Sequence, residues 1–409
     1  MEENKELEKK KNINKMIIMM FLCVIVYNFG HPGTPALIEM RGWEKSVSGE
    51  LLAFMSVAMF ISSPYLGAIA DHIGMKKLFI FMPLIYGTSQ LFFGFVAQLP
   101  LVFIARVVSG FASGGTYAIA FGYVSQLSKS GEKAKNIAKV SSATVIGGAI
   151  GQKIGGMVAD IDPRYSFVLQ FICGSIVSII ILFLMKEIIH KKDKTEKIDP
   201  KKLNPFATFK YIKELDNYSK YFCLIILLSG IGIYSYANAL NYFLRFNEKV
   251  SSNTIGTFVM FSSLTAFFGT AFLLEKLVLK FKEKNIYKFM ILIGIIFMAV
   301  ILFRIKSGII PYVIMAIYTM SYEIVRSLGN TIIAKRYKEN QGKILGVASA
   351  VGFLGNAIGS LLSGHLLKMS EFLPFITNIA VMGIVFLLIL LNSTRTLATL
   401  VVRWIARKF

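Results

Sequence analysis

Twelve apolar stretches, each long enough to cross a bilayer as a helix, follow one another along this chain with short polar clusters between most of them. A span needs about 20 mostly apolar residues, and lipid offers an open backbone no hydrogen-bond partner. The stretches run over 16–38, 48–70, 77–97, 99–126, 137–160, 165–187, 219–245, 251–275, 286–304, 308–334, 342–367 and 372–392. The pattern predicts an all-α polytopic membrane protein of twelve transmembrane helices. A soluble domain would carry about 25% charged residues. Here the charged share is 17%, the hydrophobic share 55% and the mean hydropathy +0.61.

The net charge of +22 would point to nucleic acid in a soluble protein, but its distribution argues otherwise. With the N-terminus placed in the cytoplasm, 34 of the 45 lysines and arginines fall on the cytoplasmic side. Eight fall outside and three, Arg106, Lys153 and Arg326, within spans. The positive-inside rule therefore puts both termini in the cytoplasm, with the excess charge facing an anionic leaflet. There is no aromatic-basic face to carry nucleic acid. The first stretch follows a lysine-rich tail (1–15), lacks a small-residue cleavage site and runs into Pro32 and Pro35, so it reads as a span.

One long polar segment, 188–217, separates six spans (16–187) from six (218–392), and Pro200 and Pro205 argue against a continuous helix there. The halves share a weak likeness at an offset of 208: Gly147-Gly-Ala-Ile-Gly151 with Gly355-Asn-Ala-Ile-Gly359, and Gly156 with Gly364. Two parallel repeats would leave such a trace, and they predict two six-helix bundles around a central cavity. At the end of the chain (393–409), Leu397, Leu400, Val401, Trp404 and Ile405 form one apolar stripe. This reads as an amphipathic helix on the cytoplasmic surface.

Ionisable groups inside spans are functional candidates by default. Glu323 and Arg326 share a helix face at i, i+3 in the tenth span. Glu323 is read as a proton-binding group, the alternative being a permanent ion pair that locks one packing. Arg106 in the fourth span must face the bundle interior, toward carbonyls, a carboxylate or an anionic ligand group. Asp71, at a helix end near Lys76 and Lys77, can favour the positive end of a neighbouring helix. Gly147, Gly151 and Gly155 recur every four residues and let another helix approach closely. Lys153 is expected to snorkel toward Asp160 and Asp162, the alternative being that it faces the cavity. Asn28 and His31 in the first span, with Tyr234, Tyr236, Asn238 and Asn241 in the seventh, would wall a cavity for a bulky, partly apolar ligand. Cys23, Cys173 and Cys223 show no metal-ligand spacing, and the four histidines are scattered, so no metal, cofactor or enzymatic site is expected.

The string Gly67-Ala-Ile-Ala-Asp71-His-Ile-Gly74-Met-Lys76-Lys77 resembles the loop signature of the major facilitator superfamily, matching at Gly67, Asp71, Gly74 and Lys76 and departing at His72 and Met75. Arg106 and Gly110 match the family's fourth-span motif. Gly147, Gly151, Gly155 and Gly156 match the fifth-span motif of its drug/proton antiporters, with Gln152 where proline is usual. The resemblance implies alternating access about a midplane site, a conformational role for the loop and a part for Arg106 in proton coupling. The expected function is proton-coupled efflux of amphipathic or cationic small molecules from a bacterial plasma membrane, by a chain that works as a monomer. The alternative on the same fold is a transporter of an anionic metabolite or a lipid flippase, with the span-buried cations as ligand contacts.

Overall fold

The computed structural model describes residues 2–129, 131–187, 212–213, 215–302, 310–334 and 341–391. Most of the expected linker at 188–217, and all of the expected tail helix at 393–409, lie outside these residues. Every regular element described is a helix. In order these are α1 Glu2–Asn28, α2 Thr34–Met40, α3 Ser46–Ile73, α4 Met75–Phe95, α5 Leu99–Leu127, α6 Lys133–Ala159 and α7 Pro163–Leu184. Then follow α8 Asn217–Phe246, α9 Ser252–Phe268, a π turn Gly269–Leu273, α10 Leu274–Lys280, α11 Glu283–Ile301, α12 Ile310–Ala334, α13 Gln341–Met369 and α14 Leu373–Leu391. Ten candidate spans are long and apolar enough to cross a membrane, α9 to α10 counting as one. Helix α6, with four lysines, and α12, with Glu323 and Arg326, cover the other two expected spans and stand outside that group. Large apolar side chains such as Phe92, Ile104, Phe183, Phe289 and Leu387 are exposed, a surface that a bilayer covers.

Helix ends follow local chemistry. Asp162 caps α7 by accepting from Arg164 N at 2.8 Å, and Pro163 takes the first position, where its missing N–H costs nothing. Helix α1 stops at Asn28 ahead of Gly30, Pro32 and Gly33, which leaves carbonyls near its end short of partners. Gln170 Nε2 donates to Val26 O and Tyr27 O at 3.0 Å each, and Tyr86 Oη donates to Tyr27 O at 2.9 Å.

Contacts group the chain into two compact units. The first holds Met1–Trp43, Phe54–Pro205 and Leu244–Met260; the second holds Glu44–Ala53, Phe206–Phe243 and Phe261–Phe409. Helices α3, α8 and α9 are therefore each shared, changing unit after Ala53, after Phe243 and after Met260.

Inside each unit the same contacts between helix backbones recur. In the first, Gly147 and Gly151 of α6 lie against the carbonyls of Phe21 and Ile25 of α1, and Gly155 against that of Phe29 just beyond it. In the second, Gly355 and Gly359 of α13 lie against the carbonyls of Leu227 and Ile231 of α8, where a Cβ would stand 2.6 Å from each oxygen. Gly156 meets Ser252 O and Gly256 meets Gln152 O in the first unit; Gly364 meets Ser46 O and Gly49 meets Ser360 O in the second. The sequence offset of 208 thus has a physical counterpart: the positions it pairs are those where a side chain would strike a neighbouring backbone.

Filling such a contact should be costly. Gly155→Val and Gly364→Val are each expected to lose about 1–3 kcal/mol to overpacking. Gly383→Ala, with nothing within 4 Å of the new methyl, should leave the protein as stable as before. Thermal unfolding of the purified protein in detergent, followed with a thiol-reactive dye, checks both.

Candidate functional site

A cavity of about 270 Å³ opens in the second unit between α8, α11, α12 and α13. Gly230 of α8 and Gly352 of α13, which carry no side chain, leave room for it. Tyr234, Tyr287 and Tyr322 supply aromatic wall, Asn356 an amide, and Glu323 and Arg326 the charge. Arg326 donates to Glu323 Oε2 from Nε at 2.9 Å and from Nη2 at 2.6 Å. Both bonds land on one oxygen, and Oε1 makes no hydrogen bond to a described residue. The arginine side chain is 57% exposed and the glutamate 26%, so the pair sits on the wall rather than within packed protein. Removing one partner of such a pair leaves an uncompensated charge, which is costly wherever solvent is scarce.

Of the six polar and aromatic residues expected to wall a cavity, only Tyr234 lines this one. Tyr236 is buried, edge-on to Tyr318 with centroids 4.8 Å apart. Asn238 donates to Ser360 Oγ at 2.7 Å, bracing α8 against α13. Asn28 donates to Val24 O at 2.8 Å and accepts from Gln152 at 3.4 Å. His31 lies in the turn between α1 and α2, and Asn241 Oδ1 is buried without a bond. Sequence reading missed Tyr287 and Asn356. Tyr287 stands among lysines and resembles an interfacial ring, yet it is 2% exposed. Asn356 is the one amide inside the glycine string of α13, and that break in the small-residue pattern was its available signal.

In the first unit Arg106 is 2% exposed, as an arginine facing the bundle interior must be. Its guanidinium covers the ring of Phe93 at 3.7 Å, and Nη2 reaches Thr34 Oγ1 at 3.5 Å. Close by, Tyr27 and Tyr86 stack at 3.8 Å, and Tyr27 Oη shares a 2.7 Å bond with Thr116.

The loop between α3 and α4 departs from expectation. Asp71 caps no helix; its Oδ1 accepts from Gln126 Nε2 of α5 at 2.9 Å. The carboxylate at the start of α4 belongs to Glu187, just beyond α7, which accepts from Lys76 N and Lys77 N at 3.0 Å each. Two oxygens on two orphan N–H groups, at the positive end of a helix, form a charge-assisted fork. Gly74 makes it possible: its φ of +110° suits glycine, and a Cβ would lie 2.6 Å from the Glu187 carboxyl carbon. Lys76 contributes its backbone, and Gly67 only ordinary contact, 3.7 Å from Ala118.

Lys153 also differs. Rather than reaching Asp160 and Asp162, its Nζ donates to Asn253 Oδ1 at 2.5 Å and Thr257 Oγ1 at 2.7 Å, both on α9. Asp162 is engaged by Arg164 Nη2 at 2.6 Å, which holds its carboxyl below the usual range. Among the described residues no group of three or more His, Cys, Asp or Glu side chains could hold a metal ion.

Comparison with known proteins agrees with this architecture. A family model described as Major Facilitator Superfamily matches residues 13–360. The chain is 24% identical over 379 residues to Multidrug resistance protein 2 of Bacillus subtilis (strain 168), covering 90% of this chain and 93% of that protein. It is 22% identical over 386 residues to the Quinolone resistance protein NorA of Staphylococcus aureus (strain COL), covering 92% and 97%. Among solved structures, a mutant of the nucleoside transporter NupG superposes with a TM-score of 0.76 at 14% identity, over 92% of this chain and 98% of that one. A bacterial homolog of the human lysosomal transporter Spinster, inward-facing and occupied, gives 0.73 at 13% identity, over 93% and 96%.

The fork at α4 predicts an inversion of what the loop signature alone implies for stability. Glu187→Ala strips two bonds from a helix start and should cost about 0.5–2 kcal/mol. Asp71→Asn keeps an acceptor for Gln126 and should cost less. The same dye-based melting curves would rank them.

Proposed function

Because the chain belongs to the Major Facilitator Superfamily, we propose that it is a secondary transporter working by alternating access, exporting amphipathic or cationic small molecules in exchange for protons. The observation that carries this reading is the Glu323–Arg326 pair on the wall of an aromatic cavity. Ionised, the pair is neutral, and Glu323 offers Oε1 to a cation whose apolar body rests on the tyrosines. Protonated, Glu323 loses that attraction and leaves Arg326 as net positive charge, which repels a cation at close range. Proton and cation therefore exclude each other at one carboxylate, which is the condition for exchange. The names of the relatives, a multidrug resistance protein and a quinolone resistance protein, accord with such cargo.

The remaining assignments follow the same reading. The chain works as a monomer, with bundles at 16–187 and 218–392 joined by a cytoplasmic linker at 188–217 and followed by an amphipathic tail at 393–409. Both termini face the cytoplasm of a bacterial plasma membrane, by the weight of lysine and arginine on that side. Arg106 takes part in proton coupling. Gly67, Asp71, Gly74 and Lys76, with Glu187 as the carboxylate that holds α4, form the conformational gate. The second reading, an anionic metabolite or lipid as cargo, draws on Arg326 being the more exposed member of the pair.

Purified protein in liposomes holding a pH-sensitive dye, under an imposed pH gradient, tests the exchange. Ethidium should drive proton movement with the wild type, and Glu323→Gln should lose at least nine-tenths of it while staying monodisperse. Unchanged pH dependence in that variant removes Glu323 from the coupling step. No proton movement in the wild type turns the assignment toward an anion.

A further inference from the structure

Lys153 occupies a position for which its own contacts give a reason. It lies on α6, in the half remote from the N-terminal tail: the tail pairs with the opposite end of the first unit through Glu6 to Lys129 and Glu8 to Lys186. Its ammonium meets the first two turns of α9, and the two oxygens it contacts belong to neutral groups, Asn253 and Thr257. The Thr257 hydroxyl spends its proton on Asn253 O at 2.8 Å, so a lone pair is left for the ammonium. Around this bond the helix backbones touch, Gly156 against Ser252 O and Gly256 against Gln152 O. The segment Leu244–Met260 is thereby fastened to the first unit, although α9 and α10 continue into the second. The ion pair of Arg245 with Glu39 at 2.7 Å, in the same segment, is part-exposed on both sides and therefore weak.

Among the described residues, the position matching Lys153 in the second unit carries no charged side chain. By the offset of 208, Lys153 corresponds to Leu361, which is 42% exposed. That contact is flanked instead by Lys368 to Glu44 at 2.8 Å and by His365 and Glu50 at 4.0 Å. The glycine contacts repeat; the charged bond across α6 and α9 does not.

We propose that Lys153 is a latch: its two bonds hold α9 on α6 and set how often that glycine contact opens on the side remote from the termini. An ammonium pulled from both oxygens loses two charge-assisted bonds at once, so opening is penalised until water or another acceptor replaces them. In a transporter working by alternating access, on which this role rests, the latch biases the cycle toward the state in which the contact is closed.

The test reads opening directly and needs neither substrate nor proton gradient, so it stands or falls independently of the exchange reaction. Ser252 is 1% exposed at the centre of the contact. In full-length protein carrying Cys23→Ala, Cys173→Ala and Cys223→Ala, Ser252→Cys reconstituted in liposomes would be labelled by a membrane-impermeant maleimide from the side opposite the termini. Lys153→Met should raise the labelling rate about tenfold, as expected for losing hydrogen bonds to a charged group. Lys153→Arg, which keeps donors for both oxygens, should stay near the wild-type rate. Asn253→Ala with Thr257→Val should match Lys153→Met, and combining the three should add nothing further. An unchanged rate in Lys153→Met, or an equal rise in Lys153→Arg, overturns the proposal. Should Lys153→Met fail to yield monodisperse protein, the Asn253 and Thr257 variant decides alone.

Discussion

Helix association in lipid lacks the hydrophobic drive that packs soluble proteins, so it depends on how closely backbones can approach. In this chain that approach is made by glycines set directly against carbonyl oxygens of a facing helix. The row Gly147, Gly151 and Gly155 of α6 against α1 and the row Gly355 and Gly359 of α13 against α8 fix one helix pair in each unit. Everything polar is then placed by default. With α13 drawn onto α8 at Gly355 and Gly359, the space beside Gly230 and Gly352 becomes a cavity, and α12 presents Glu323 and Arg326 to it. With α6 drawn onto α9 at Gly156 and Gly256, the Lys153 ammonium arrives within bonding distance of Asn253 and Thr257.

Charge inside the spans is handled in three ways. Arg106 is fully sequestered, its guanidinium flat against Phe93, where an aromatic face replaces part of the lost hydration. Glu323 and Arg326 neutralise each other on a cavity wall, where water or ligand reaches both. Lys153 is solvated by neutral oxygens of another helix. The second changes net charge when one proton binds, and the third lasts only while two helices stay together. Two of these three arrangements therefore respond directly to a proton or to the separation of helices.

What was legible in the sequence was what is local or periodic. Apolar run lengths gave the helices, and the i, i+3 spacing gave the Glu323–Arg326 pair down to its bonding. The offset of 208 gave the contact glycines of α6 and α13, because a position where any side chain clashes leaves a glycine visible without alignment. What stayed hidden depends on partners far along the chain. Glu187 caps a helix 111 residues earlier, and the nearer carboxylate, Asp71, drew attention by its place in a known signature. Lys153 has acidic residues about two turns on, at Asp160 and Asp162, and still bonds a helix 100 residues on, since the direction of a side chain on a packed helix is set by its neighbour. Asn238 and Tyr236 were read as ligand contacts from residue type alone, and the fold uses both for packing.

The two repeats are alike in backbone contacts and unlike in the side chains that surround them, and function is most legible in that difference. Gly148, packed near the amide of Asn28, corresponds to Asn356 on the cavity wall. Lys153, bonded across α6 and α9, corresponds to the exposed Leu361. The contact of α3 with α13 has surface ion pairs at its rim, where Lys368 holds the Glu44 carboxyl below its usual range in full solvent. Exposed pairs of that kind contribute little and are screened by salt. The bond at Lys153 is part-buried and directional. Two contacts with the same glycine geometry therefore need not open with equal ease, and the asymmetry was introduced without altering any residue on which the close backbone approach depends.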